Sequence, residues 1–277
     1  MWVRWYVIAP CRRETIGAAK WAASKVQTCR PGATHRSPDI QHFAQVARRI
    51  AQPVAKRTLS IPTSDVFRLV LTGGPCSGKS SSLKRIREIC ERDGFAVYCV
   101  PEVPTILLLG GCTYPGAAAG QKLLAFEKAL IDLQMQIEQS FIEIAASTGG
   151  KSIVIMDRGC MDIKAYLPKE AWQEVMAFSQ VTEAQLIARY DAVIHLVTAA
   201  EGAEQFYKSG EVTDDSGQSV YREETPAMAR TLCQKVRNGW RSHKKKVIIE
   251  NTVGGFDAKL AKVESAVKAF LNIQPSA

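Results

Sequence analysis

The sequence predicts an α/β domain: a mostly parallel sheet of five strands with helices on both faces, preceded by a basic extension outside the core. Three observations predict it. From about residue 61 onward, short apolar runs rich in Val and Ile alternate with helical patterns, as in successive βαβ units. A glycine-rich turn stands between the first such run and the first helix. The charge also divides the chain. Of 36 Lys and Arg and 27 acids, giving a net charge of +9, the whole excess falls within residues 1–60. The remainder is electrically balanced. With 277 residues and 46% hydrophobic composition, the chain is long enough for a full core, and a wholly disordered, collagen-like or disulfide-stapled protein is excluded.

The elements follow in order. Val66–Thr72 is a buried strand stopped by Gly73-Gly74-Pro75, and a helix runs from about Lys79 to Arg92. Phe95–Val100 is the second strand. Residues 120–146 place Leu123, Leu130, Leu133, Ile137, Phe141 and Ile144 at helical spacing, a long amphipathic helix. Ser152–Met156 is the third strand. Pro168 opens a short helix, and Thr182 with Gln185 forms a capping box for another. Ala192–Val197 and Lys246–Ile249 are the fourth and fifth strands, with a helix opened by Thr225-Pro226 between them and a last helix over roughly 256–271. The intervening stretch 201–225 is polar and contains glycine, and its length marks it as a lid or a disordered loop. One domain, 61–277, accounts for all of this.

Residues 1–60 are Arg-rich and acid-poor, with Ile40, Phe43, Ala47 and Ile50 on one helical stripe. They read as a transit peptide directing the chain to the mitochondrial matrix, or as a basic tail of a cytoplasmic protein, or as an upstream segment that is never translated. The eight scattered cysteines lack metal-type spacing, so free thiols in a reducing intracellular compartment are expected. No run approaches the roughly twenty apolar residues of a membrane span. A nucleic-acid partner is not expected, because the positive charge lies on the extension and not on a domain face.

Gly73-Gly74-Pro75-Cys76-Ser77-Gly78-Lys79-Ser80 satisfies G-x-x-x-x-G-K-[ST] in full, with Ser81 following. The glycines let the backbone wrap a phosphate, and the helix N-terminus adds an anion cradle. Lys79 reaches the β/γ-phosphates and the Ser80 hydroxyl ligates Mg²⁺. The pattern arises by chance in about one chain in a hundred of this length, and here it has the strand-then-helix setting that the P-loop requires. Asp157, closing the third strand, supplies the acid that holds Mg²⁺ directly or through water. ATP or GTP with Mg²⁺ is therefore the expected cofactor.

Glu102, after the second strand, either positions or deprotonates an acceptor hydroxyl, or caps a surface turn. Asp162 supports the site or is merely exposed. On the helix after the lid, Arg230, Arg237 and Arg241 lie near one face. At least one of them swings onto the phosphates, or all three form a solvated basic face. Lys244-Lys245-Lys246 marks an exposed strand start or an anionic-lipid contact, and His195 reads as a packed core histidine. Side chains reading the nucleobase are expected near Asn251–Gly255.

With these residues assembled, the domain resembles the NadR/TRPL-translocation-defect-protein type of P-loop domain, grouped under an AAA name. The resemblance rests on Gly73–Ser81, Val100-Pro101-Glu102, Met156–Asp162, Tyr190–Leu196, Gly202-Ala203-Glu204, Glu224, Ala229-Arg230, Trp240, His243 and Asn251, and covers about residues 66–271. Cys233 stands where the family usually has an acid, and Lys244 where a proline often follows the histidine. The resemblance implies a kinase-like fold binding ATP or GTP, with bacterial relatives that phosphorylate nicotinamide riboside. The expected function is a small-molecule kinase acting on a nucleoside-like hydroxyl acceptor. The alternative is a nucleotide-dependent switch or scaffold for a protein or a phosphoinositide.

Overall fold

The computed structural model describes residues 65–273, apart from Ala117, residues 214–218 and Glu223. The basic segment and the readings attached to it, the transit peptide and the mitochondrial address among them, lie outside these residues. Five strands form one parallel sheet: β1 (Val66–Gly73), β2 (Ala96–Val100), β3 (Ser152–Asp157), β4 (Ala192–Leu196), and β7 (Lys246–Ile249), in the order β2-β3-β1-β4-β7. The helices are α1 (Lys79–Arg92), α2 (Val103–Leu109), α3 (Gln121–Ser147), α4 (Lys169–Ser179), α5 (Glu183–Ile187), α6 (Pro226–Gly239) and α7 (Gly255–Leu271).

Both faces of the sheet are covered, as its near-continuous apolar strands require. Along β1, Val66 and Val70 join Val154, Met156, Leu130, Ile131 and Trp240 on the α3 and α6 side. Leu69 and Leu71 join Ile153, Ile155, Ile194, Ile86 and Val263 on the α1 and α7 side. The alternation is the period of a strand with each residue pointing to the opposite face from its neighbour. The capping box predicted at Thr182 and Gln185 is present in both directions.

Two elements differ from expectation. Residues 103–109 form α2, although Val-Pro-Thr-Ile-Leu-Leu-Leu has no helical periodicity to announce it. Pro104 starts it from its first turn, where a missing N–H costs nothing. The polar stretch 201–225 is not a bare loop. It carries a 3₁₀ turn at Glu204–Phe206 and an antiparallel hairpin of β5 (Gly210–Thr213) and β6 (Ser219–Arg222). Its Gly, Asp and Ser content masks these short strands.

Asp162, left open between support and exposure, is a buried tie. On the 3₁₀ segment Cys160–Tyr166, it is 2% exposed. It accepts from Thr72 Oγ1 at 2.6 Å on β1 and from Trp240 Nε1 at 2.5 Å at the end of α6. The tie joins the strand that precedes the P-loop to the helix that follows the hairpin. Removing either partner of such a bond costs about 1–3 kcal/mol for the group left unpaired.

His195 is fully buried in β4, with Nε2 3.4 Å from Cys233 Sγ. Burial holds its imidazole neutral and pushes its pKa down to about 3. An unfolded histidine protonates near pH 6.5, so the fold is expected to lose stability as pH falls below that value, at up to about 1.4 kcal/mol per pH unit from this group. Urea unfolding between pH 7 and 4 checks this: His195→Asn should flatten the slope, and an unchanged slope would show that the imidazole titrates freely in the fold.

Candidate functional site

The order of the sheet places its crevice beside β1. That strand is flanked by β3 and β4, and ligands of open α/β sheets gather at the carboxyl ends of strands where the order reverses. The register sets the details. Leu71 pairs with Asp157 and Gly73 with Leu196, so the P-loop leaves β1 between the Asp157 end of β3 and the Thr198 loop after β4.

The loop fits only because of its glycines. Gly73 has φ 154°, and a Cβ there would lie 2.2 Å from the Leu196 carbonyl oxygen. Gly78, at φ 86°, would push a Cβ to 2.5 Å from the Phe256 ring. Two carbonyls are turned outward onto the β4 loop: Pro75 O accepts from Thr198 Oγ1, and Cys76 O accepts from Ala199 N at 3.0 Å. Lys79 folds back over the turn to donate to Gly74 O at 3.3 Å. Ser77, Ser80 and Ser81 border the same cavity of about 1,090 Å³.

Lys79 and Asp157 both border this cavity, and both drift toward neutrality. Burial, with Arg158 nearby, lowers Lys79 to about 8. Burial, with Glu102 nearby, raises Asp157 to about 6. Asp157 Oδ1 is hidden from solvent and has no hydrogen-bond partner, and neither has Ser77 Oγ. An orphaned buried carboxylate oxygen at a P-loop has a ready use, because a cation beside it satisfies its lone pairs. Ser80 and Asp157 are the residues that could hold Mg²⁺, and the donor set of one hydroxyl and one carboxylate suits an ion that takes its remaining ligands from phosphates and water. Among the described residues, no group of three or more His, Cys, Asp or Glu could form a protein-only metal cage.

Glu102 also lines the cavity, as the residue before α2, but its carboxylate is engaged. Arg158 pairs with Oε1 through Nε, and Thr105 Oγ1 donates to Oε2 at 3.0 Å. Burial alone would raise its pKa, but Arg158 and Lys79 outweigh it and hold the carboxyl below its usual range. Of its two predicted roles, the geometry favours positioning over proton abstraction.

Arg158 is the residue that sequence reasoning missed. It stands at φ 67°, a left-handed conformation that costs about 1–2 kcal/mol for a side chain with a Cβ. The bend turns its buried guanidinium to Glu102 and to Gly73 O, 3.4 Å away. An arginine between a strand-ending aspartate and a glycine was its signal. Lys259 on α7 was missed as well. It is 3% exposed and donates to Val197 O at 2.6 Å and to Asn251 Oδ1 at 2.8 Å.

The expected lid arginines do not line the cavity. Arg230 donates to Ala200 O at 2.8 Å. Arg237 is two turns further along α6, roughly 10 Å at the helical rise, and its charge is felt by His195 and Lys246. Asn251 is likewise consumed by scaffolding: its amide donates to Thr198 O at 2.8 Å and Glu201 O at 2.7 Å. Arg241, Lys244 and Lys245 are exposed, and Lys246 opens β7 half-buried. None of the six described cysteines is in a disulfide. Among the described residues, no helix is long and apolar enough to cross a membrane.

Against known proteins, residues 68–258 match the profile of a family described as an AAA domain. The chain belongs to that family. Its fold is shared with two solved NadR structures. One, NadR in complex with NR, has a TM-score of 0.51 and 13% identity over 78% of this chain and 52% of that one. The other, NadR in complex with NAD and AMP-PNP, has a TM-score of 0.50 and 12% identity over 87% of this chain and 59% of that one. The AAA-family chain thus spans little more than half the length of these NadR chains. No curated protein matches it significantly in sequence.

Lys79→Ala is expected to abolish any rise in melting temperature on adding Mg²⁺-ATP or Mg²⁺-GTP. Asp157→Asn should do the reverse to the ligand-free protein, raising its melting temperature by a few degrees at pH 7 because a buried charge is removed, while losing the Mg²⁺-dependent part of the shift. Differential scanning calorimetry of the three proteins measures both. An Asp157→Asn chain less stable than wild type without ligand would mean the carboxylate is structural.

Proposed function

We propose that this domain is a Mg²⁺-dependent NTP:hydroxyl phosphotransferase acting on a small, nucleoside-like molecule. The observation that carries the reading is the joining of two sites in one cavity. The P-loop and Asp157 form one, and the Glu102–Arg158 pair with the buried Glu224 extends the other. A volume near 1,090 Å³ reaches the top of the usual range for a single small-molecule pocket, leaving room for an acceptor beside a nucleotide. The NadR structures, one bound to NR and one to NAD and AMP-PNP, agree with such a pairing of ligands.

The chain's residues divide the work. The P-loop backbone and Lys79 hold the β- and γ-phosphates, and Ser80 and Asp157 hold Mg²⁺. Bound there, the ion neutralises charge that accumulates on the phosphate oxygens. Glu102, fixed by Arg158 and Thr105, orients the acceptor O–H toward the γ-phosphorus. Because the transition state of phosphoryl transfer is loose, positioning matters more than a strong base. The P–O bond to the β-phosphate breaks, the γ-phosphoryl joins the acceptor oxygen, and the acceptor proton is released to water. Arg158, also bordering the cavity, offers the cationic charge once expected of Arg230 or Arg237.

A nucleotide-dependent switch is the second reading, and one contact favours it. Cys76 Sγ on the P-loop donates to Lys208 O at 3.5 Å, beside the β5–β6 hairpin, so loop and hairpin are in touch. A turnover assay with ATP and GTP across nucleosides separates the two. The kinase reading expects a phosphorylated acceptor, abolished in Lys79→Ala and reduced about 10²-fold in kcat by Glu102→Gln. Hydrolysis indifferent to every acceptor would replace it with the switch.

A further inference from the structure

Three large apolar side chains stand exposed around the mouth of the phosphate cavity: Phe206 at 64%, Val253 at 109% and Phe256 at 44%. Among the described residues, only eight large hydrophobics are exposed at all, so three at one rim is a concentration. Exposed apolar surface of this kind marks a ligand site, and here the ligand must also meet a P-loop. The Phe256 ring lies against Gly78, at the P-loop end of the cavity, with 2.5 Å between its edge and the position of a Cβ. Phe206 lines the same cavity from the 3₁₀ turn that precedes the hairpin.

The acids are arranged the other way. The acids lining the cavity are Glu102, Asp157 and Glu224. Glu102 and Asp157 influence each other's charge and that of Lys79, and Glu102 and Glu224 both influence the buried Tyr166 hydroxyl. They therefore cluster at the Arg158 end. Asn251, which could have read a base edge, spends both amide hydrogens on Thr198 and Glu201 and its oxygen on Lys259.

From this juxtaposition we infer that Phe256, with Phe206 and Val253, is the platform on which the nucleobase of the bound NTP lies, and that it takes a purine by stacking with little discrimination between adenine and guanine. The inference rests on the nucleotide reading above and names its specificity-determining residues. Stacking is tolerant because every base has a π-face, whereas rejecting the wrong purine requires a polar side chain placed at its edge. The platform side chains carry none, and their polar neighbours on the lining, Gln205 and Thr252, bear an amide and a hydroxyl that can each donate or accept and so suit either purine edge.

Affinities of Mg²⁺-ATP, Mg²⁺-GTP and Mg²⁺-tripolyphosphate, which lacks base and sugar, test this by titration calorimetry on the full chain. Wild type should bind both nucleotides about tenfold or more tighter than tripolyphosphate, with ATP and GTP within about threefold of one another. Phe256→Ala should remove most of the nucleotide advantage and leave tripolyphosphate affinity unchanged, and Phe256→Trp should restore it. Equal losses for all three ligands would show that Phe256 only props Gly78, and would overturn the platform. So would a nucleotide advantage that survives Phe256→Ala. A hundredfold preference for one purine would overturn the tolerance. Failure of the parent reading has its own signature: tripolyphosphate would bind wild type no better than Lys79→Ala, or no ligand would bind at all, and the platform would fall with it.

Discussion

Four charged side chains meet at the carboxyl ends of β1, β2 and β3, and only two of them are matched. Glu102 and Arg158 close an ion pair, while Lys79 and Asp157 make none with each other. Burial pushes the unmatched two toward their neutral forms from opposite directions, Lys79 to about 8 and Asp157 to about 6. Leaving charges this way lowers the stability of the ligand-free fold, and proteins retain such costs where a ligand removes them. A polyanion with a divalent cation is the complement of this arrangement: the anion restores the lysine's charge and the cation that of the aspartate.

The rest of the structure holds that arrangement in place. Parallel pairing fixes Asp157 beside Leu71, and a one-residue slip would turn it to the other face of the sheet. Thr198 and Ala199 grip the P-loop from the β4 side, and Asp162 grips β1 from below through Thr72. On α3, the buried Glu138 accepts from Gln134, Tyr190 and Arg189. It pins the longest helix to the turn before β4, and each buried acceptor there has a partner, as a polar network in a core requires.

What the sequence made legible is what has a period or a spacing. The five sheet strands, the P-loop and the acid at the end of β3 could be read because buried strands, phosphate cradles and metal acids each impose a local pattern. Arg158 could not be ranked, since its role depends on a left-handed bend and on a glutamate 56 residues away. The lid arginines are the opposite case. Helical spacing puts Arg230 and Arg237 on one face but says nothing about which end of α6 meets the cavity. Asn251 lines the cavity, yet its amide is spent on backbone carbonyls that only the folded chain brings near. Helix α2 and the β5–β6 hairpin escaped because seven apolar residues, or two four-residue strands, fall below the length at which periodicity can be read.

In the proposed site, Lys79, Ser80 and Asp157 surround one cation and one triphosphate. Locating Mn²⁺ by anomalous scattering in crystals grown with a non-hydrolysable NTP tests it most directly. A single strong peak is expected, bonded to the Ser80 hydroxyl on the Asp157 side, with the terminal phosphates inside the P-loop and within reach of Lys79. A metal bound away from Ser80 and Asp157, or a triphosphate seated outside the loop, would contradict it.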